Sequence, residues 1–171
     1  MHATAGQISR DSSRSTFERE GVLDAIGWRI LCELQANARL SFSELGRRVG
    51  LTPPAVAERV RRLEEAGVIT GYRLELNIER LGLPLLAWVR LAPRGGTPPS
   101  EIKQAVANLT EVLECHHVTG EDCYVMKVAV ASVHALEGLL ERLLRFGNTT
   151  TSIVISSPVT GRVIGPPALQ P

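Results

Sequence analysis

Aromatic side chains are scarce in this chain: two Trp, two Tyr and three Phe, 4% of the residues. Any core must therefore rest on Leu, Val, Ile and Ala, and the hydrophobic share is still an ordinary 44%. Cysteine is rarer, at Cys32, Cys115 and Cys123. An odd number with no CxxC pair argues against a secreted disulfide framework and for reduced thiols. No apolar run approaches the ~20 residues that span a bilayer, so no membrane partner is expected. The N-terminus shows His, Ser, Arg, Asp and Glu where a signal peptide has an apolar centre, and a cytoplasmic location is expected. Charge of one sign is missing too: the formal net charge is +1. Only local clustering can then point to a nucleic acid. GxSxG, Walker and GxGxxG motifs are absent, and no catalytic residue or cofactor is expected.

What is present divides into two patterns over 171 residues. Residues 1–21 are polar and read as a flexible arm. From Leu23, apolar residues Ile26, Ile30 and Leu34 recur at helical spacing behind an Asp24 cap. A second helix opens with a capping box, Ser41-Phe42-Ser43-Glu44, in which the Glu44 carboxylate is expected to reach back. Leu40 and Leu45 stand in hydrophobic-staple positions. Gly50 ends that helix. Thr52 is expected to cap a third, with Pro53 in the first position, Val56, Val60 and Leu63 inward, and Gly67 at the end.

Beyond residue 82 the pattern becomes β-α-β-β-α-β. A strand holds Leu85, Ala87, Val89 and Leu91. A helix capped by Ser100 turns Ile102, Val106 and Leu109 inward. A hairpin runs from about Val112 to Val118, through Thr119–Asp122, and back over Tyr124–Val130. A helix capped by Ser132 turns Leu136, Leu139, Leu140, Leu143 and Leu144 inward, and a last strand covers Thr149–Ser156. The chain thus reads as a helix-turn-helix domain over 22–70, a linker that can carry a strand over 71–81, a sandwich over 82–157 and an irregular tail over 158–171. The fold class is α+β.

The second and third helices have helix-turn-helix spacing. Between residues 47 and 62 lie Arg47, Arg48, Arg59, Arg61 and Arg62 against Glu58 alone, a local excess of four positive charges. Double-stranded DNA is the partner such a cluster suits. Residues Thr52 to Glu58, with Pro54 and Ala55 as small apolar contacts for a thymine methyl, are expected at base edges. Thr52 and the free amides beside it are expected to hold a phosphate. Arg59, Arg61 and Arg62 are expected at phosphates or a flanking base.

Leu23-Asp24-Ala25-Ile26, Ser43-Glu44-Leu45-Gly46, Val56 through Ile69, Gly71-Tyr72, Val118-Thr119-Gly120 and Tyr124 through Val128 together resemble the leucine-responsive/asparagine-type (Lrp/AsnC) regulators. The resemblance covers roughly Val22 to Ser157. It implies a winged helix-turn-helix joined to a ferredoxin-like effector-binding and oligomerisation domain, and sequence-specific transcriptional regulation. It also implies a homodimer that assembles to an octamer. A small-molecule effector, an amino acid, is implied near Val118, Thr119, Gly120, Glu121, Asp122, Cys123 and Tyr124. Two positions depart from the family. Gly27 replaces an acid and costs about 1 kcal/mol in helix propensity relative to Ala. Cys123 stands where an Asp is common, and Asp122, one place earlier, faces the opposite way on a strand.

Cys115, His116, His117 and Cys123 lack zinc-site spacing, so no metal is expected. Two alternatives use the same fold. A sirohaem-decarboxylase-like enzyme would recruit His116, His117 and Arg90, and an interaction module would bind no DNA.

Overall fold

The structure is a computed structural model that describes residues 21–166. Nearly all of the expected N-terminal arm lies outside the described residues. Two compact units form.

The first unit contains α1 (Ala25–Ala36), α2 (Phe42–Val49) and α3 (Pro53–Glu65). Asp24 caps α1 through a 2.7 Å bond that its Oδ1 accepts from the Gly27 amide. Gly27 is not the weak spot that propensity suggests. A Cβ there would lie 2.7 Å from the Val22 carbonyl oxygen and 3.3 Å from the capping Asp24 oxygen. The chain entering α1 passes too close for a side chain.

Ser41 caps α2 by accepting from the Glu44 amide at 3.1 Å. The Glu44 carboxylate does not reach back as the capping box predicts. It accepts from Arg47 and Arg48 instead. Charge-assisted bonds to two guanidinium groups outweigh one bond to a neutral amide. Gly50, at φ 79°, ends α2 in the left-handed region that glycine adopts without steric cost.

Thr52 occupies the N-cap of α3, but its hydroxyl makes no capping bond within the described residues. Pro53 and Pro54 fill the first two helical positions, and one of the usual recipients of that bond, the second-position amide hydrogen, does not exist. At the other end the Gly67 amide donates to Glu64 O and the Val68 amide to Leu63 O, both at 2.9 Å. This is a Schellman pair. Ile30, Leu34, Leu45, Val49, Val56, Val60 and Leu63 form the buried core, with Leu40 and Ile26 packed at its margin. The segment after α3 has no regular structure over residues 71–77 and joins no sheet within the described residues. Residues 161–166 also belong to this unit. There the Gln35 amide group donates to Ile164 O at 3.0 Å and accepts from Ile164 N at 2.9 Å.

The second unit, Glu75–Thr160, is an antiparallel sheet in the order β2-β3-β1-β4. Its elements are β1 (Leu85–Pro93), α4 (Pro99–Ala107), β2 (Val112–His117), β3 (Tyr124–Val130), α5 (Val133–Leu144) and β4 (Gly147–Ile153). That is the ferredoxin-like order, with both crossover helices on one face. Ala87, Val89 and Leu91 of β1 and Tyr124, Met126, Val128 and Val130 of β3 turn to that face. They bury against Ile102, Val106, Leu136, Leu139 and Leu143. Trp88 and Arg90 take the opposite, open face, as strand alternation requires.

Four local expectations need correction. Helix α4 is capped by Pro98, and Ser100 lies inside it, because Pro99 fits the first position better than a later one. Leu109 follows the helix, though it still packs on the core. Leu144 is 48% exposed and not inward. Strand β4 starts at Gly147, two residues early, because its register on β1 pairs Gly147 with Pro93. No helix among the described residues is long and apolar enough to cross a membrane.

Candidate nucleic-acid interface and sensing turn

Helix α3 presents an unusual N-terminus. Thr52, Pro53 and Pro54 are exposed and Ala55 is half-buried. Two of the first three helical positions lack an amide hydrogen, so the free amides expected to hold a phosphate reduce to those of Thr52 and Ala55. The tip is apolar, and Pro54 and Ala55 can meet an apolar base edge better than an anion.

The arginines are less free than a count over 47–62 suggests. Arg47 bonds Glu44 at 2.6 Å, and Arg48 bonds both Glu44 at 2.9 Å and Glu33 at 2.8 Å. Arg59 bonds Asp24 at 2.8 Å. Arg61 bonds Glu58 at 2.7 Å and also Glu65, and Arg62 bonds Glu58 at 2.9 Å. Five arginines therefore meet five carboxylates, and the excess of four disappears. Four of those acids, Asp24, Glu33, Glu44 and Glu65, lie outside the counted window. The pairs at helical spacing of three and four were readable in the sequence. Arg59–Asp24 and Arg48–Glu33 join residues distant in sequence and were not.

Electrostatics follows this pairing. Hydrogen bonds from Arg61, then Arg62, lower the Glu58 carboxyl to about 2. Arg47, then Arg48, lower Glu44 in the same way. Glu58, then Glu65, raise the Arg61 guanidinium above its ordinary value. All of these groups stay ionised near neutral pH.

In the second unit the β2–β3 turn closes with a 2.8 Å bond from the Val118 amide to the Cys123 carbonyl. Thr119, Gly120 and Glu121 are exposed at its tip. Gly120 has φ 114°, a conformation that an L side chain rarely adopts. Asp122 faces Arg90 of β1 at 3.8 Å. Cys123 is half-buried. Tyr124 is buried and stacked on His117, with ring centroids 4.7 Å apart, and its hydroxyl has no hydrogen-bond partner among the described residues.

The other chemistry-bearing residues do not converge. Cys115 pairs with Met126 and His117 with Tyr124 on the helix-covered face, while His116 pairs with Val125 on the open one. His116 lies 3.6 Å from Glu114, which also holds Lys127 at 3.1 Å. Desolvation raises the Cys115 thiol above its ordinary value. The sirohaem alternative needs His116, His117 and Arg90 together, and His117 is turned away from the other two.

Comparison with known proteins agrees with this division. Residues 23–70 match the model described as winged helix-turn-helix DNA-binding, and residues 85–164 match the Lrp/AsnC ligand binding domain. The chain is 41% identical to the transcriptional regulator LrpA of Mycobacterium tuberculosis over 78% of this chain and 89% of that protein. It is 42% identical to the leucine-responsive regulatory protein of Escherichia coli, over 80% and 87% respectively. Its structure is similar to that of a feast or famine regulatory protein from M. tuberculosis complexed with L-methionine. There the TM-score is 0.78 at 38% identity, covering 84% of this chain and 99% of the other.

Proposed function

The chain belongs to the Lrp/AsnC family of transcriptional regulators, and from that premise we propose how it reads DNA and what it senses. It is a DNA-binding regulator and not an enzyme. Helix α3 enters the major groove tip first, with Thr52, Pro54 and Ala55 toward base edges and Glu58 turned to Arg61 and Arg62 on the flank. Arg47, Arg48, Arg61 and Arg62 line the flanks toward phosphates, and Arg59 secures the helix from behind. The observation that carries this reading is the exposed Thr52-Pro53-Pro54 tip between two arginine pairs.

The test is fluorescence anisotropy with a duplex selected from a randomised pool by the wild-type protein. Binding should weaken linearly in log affinity against log salt, with a slope of about −0.9 per phosphate contact. Ala55→Asp, which sets a carboxylate against the base edges, should weaken the selected duplex about tenfold or more. Undiminished affinity in that variant would remove α3 from the groove.

The effector is an amino acid held at the Val118–Tyr124 turn. Support comes from the relative complexed with L-methionine, the exposed backbone of Thr119–Glu121 and the unpartnered Tyr124 hydroxyl. The Asp122 carboxylate is drawn toward Arg90, which offsets part of the negative charge it could offer an effector ammonium. A thermal-shift screen of the common amino acids, methionine first, identifies the ligand, because binding the native state alone raises the melting temperature. The working form is a cytoplasmic homodimer that assembles to an octamer.

A further inference from the structure

The sequence Glu-x-x-Arg-Arg occurs twice in the helix-turn-helix, as Glu44-Leu45-Gly46-Arg47-Arg48 in α2 and as Glu58-Arg59-Val60-Arg61-Arg62 in α3. Both copies fold into the same device. One carboxylate at position i bonds the guanidinium groups of two arginines at i+3 and i+4. Glu58 Oε1 and Oε2 accept from Arg61 Nη2 and Nε at 2.7 and 2.9 Å, and Oε1 also accepts from Arg62 Nε at 2.9 Å. Glu44 accepts from Arg47 Nε and Nη2 and from Arg48 Nε in the same arrangement.

A donor inventory shows the consequence. A guanidinium grips phosphate best through two parallel N–H bonds from one edge. Arg61 has every nitrogen engaged, Nε and Nη2 by Glu58 and Nη1 by Glu65. Arg62 has its Nε engaged, which removes the Nε edge from use. Arg47 loses the same edge to Glu44. To hold a DNA phosphate through its Nε edge, each must first leave a carboxylate that is ionised at every physiological pH. The forks are exposed, so this exchange needs no change in the core.

We propose that Glu58, with Glu44 as its counterpart, is a specificity-determining residue that suppresses phosphate-only binding by occupying the arginines which would otherwise hold any duplex. The proposal rests on the reading that α3 binds DNA. Where the bases match, contacts at the Thr52–Ala55 tip supply the free energy to open the forks. Where they do not, the forks stay closed and the backbone is held weakly. Glu58 thus lowers affinity for all DNA and lowers it more for the wrong sequences.

The experiment compares wild type, Glu58→Gln and Glu65→Gln on two probes. One is a 30-base-pair duplex of mixed sequence, and the other is the duplex selected by the wild-type protein. Glutamine keeps the shape and one acceptor but removes the charge, and circular dichroism checks that each variant is folded. Glu58→Gln should bind the mixed duplex about tenfold more tightly at low salt, with a salt slope steeper by about one to two. Its preference for the selected duplex should fall. Glu65→Gln, which leaves Glu58 on Arg61, should change little. An unchanged slope and affinity on the mixed duplex in Glu58→Gln would overturn the proposal while leaving the DNA-binding reading intact. Loss of the selected duplex alone would also overturn it, by making Glu58 a base reader. If neither wild type nor Glu58→Gln binds either probe at low salt, the reading and the proposal fall together.

Discussion

Tyr124 is the residue where burial and hydrogen bonding disagree most. Its ring is buried and stacked on His117, yet its hydroxyl has no partner among the described residues. A buried polar group left unpaired costs about 1–3 kcal/mol. Tyr124→Phe keeps the ring and removes that cost, so in the absence of effector it should be as stable as wild type or more stable by about 1 kcal/mol. With the amino acid that shifts wild type in the thermal screen, the variant should shift less. Urea unfolding checks the first half and thermal shift the second. A variant clearly less stable than wild type without ligand would mean that the hydroxyl already has a partner. Gly27 shows the opposite limit at this scale. Helix propensity marks it as a defect, while the Val22 carbonyl 2.7 Å from its would-be Cβ makes it a requirement. No single-sequence reading carries that distance.

Between elements, Asp24 does two things with one oxygen. Oδ1 caps α1 through the Gly27 amide and accepts from Arg59 of α3 at 2.8 Å. Desolvation would raise the Asp24 carboxyl, but the Gly27 amide and then Arg59 outweigh it and hold the group below the ordinary aspartate value. The two roles separate by substitution. Asp24→Asn keeps an N-cap acceptor and loses the ion pair, a partly exposed one worth roughly 0.2–1 kcal/mol. Asp24→Ala loses the cap as well, about another 1 kcal/mol. The sign of the pH effect follows from the lowered value. The native state binds its proton at lower pH than the unfolded chain does. The carboxylate therefore stabilises fully above the unfolded value, and this contribution fades as pH falls through the lowered native one. Urea unfolding should show wild type ahead of Asp24→Asn at pH 7, with the gap closing below about pH 4. A gap that widens in acid would reverse the assignment. The same double-mutant logic tests Arg59. If it secures α3, the losses from Asp24→Asn and Arg59→Ala should not add.

Elements were also where the sequence was most legible. Local signals read true: the Asp24, Ser41 and Ser132 caps, the Gly67 stop, the Val56-Val60-Leu63 face and the alternation of β1. Each depends on neighbours within four residues. Several of the errors have a different cause. The reach of Glu44, the start of β4 and the pairing of Arg48 and Arg59 were decided by competing partners or by register on another element. The apolar tip of α3 was legible and missed, since two prolines in sequence already state that two amide hydrogens are absent.

At the scale of the whole molecule, the described chain leaves a surface that it does not cover. Tyr72, Leu74 and Leu76 are 51%, 83% and 60% exposed and alternate with Arg73, Glu75 and Asn77. Alternating apolar and polar residues in an exposed segment outside any sheet are a template for another strand. In the proposed homodimer the complement would be the same segment of a second copy, paired antiparallel about a two-fold axis. Two-site DNA binding by that dimer would depend on the pairing, because two helix-turn-helix units must meet half-sites about 34–36 Å apart. Linking the two contacts raises apparent affinity by about 10²–10⁴. Leu74→Asp with Leu76→Asp places two carboxylates on each copy's apolar side, facing their equivalents across the axis. Light scattering after size exclusion should show the mass fall to that of a smaller assembly. Affinity for a duplex carrying both half-sites should fall about a hundredfold, with little change for a single half-site. An unchanged mass would place the contact between copies elsewhere. A lower mass with undiminished two-site affinity would show that each unit binds alone.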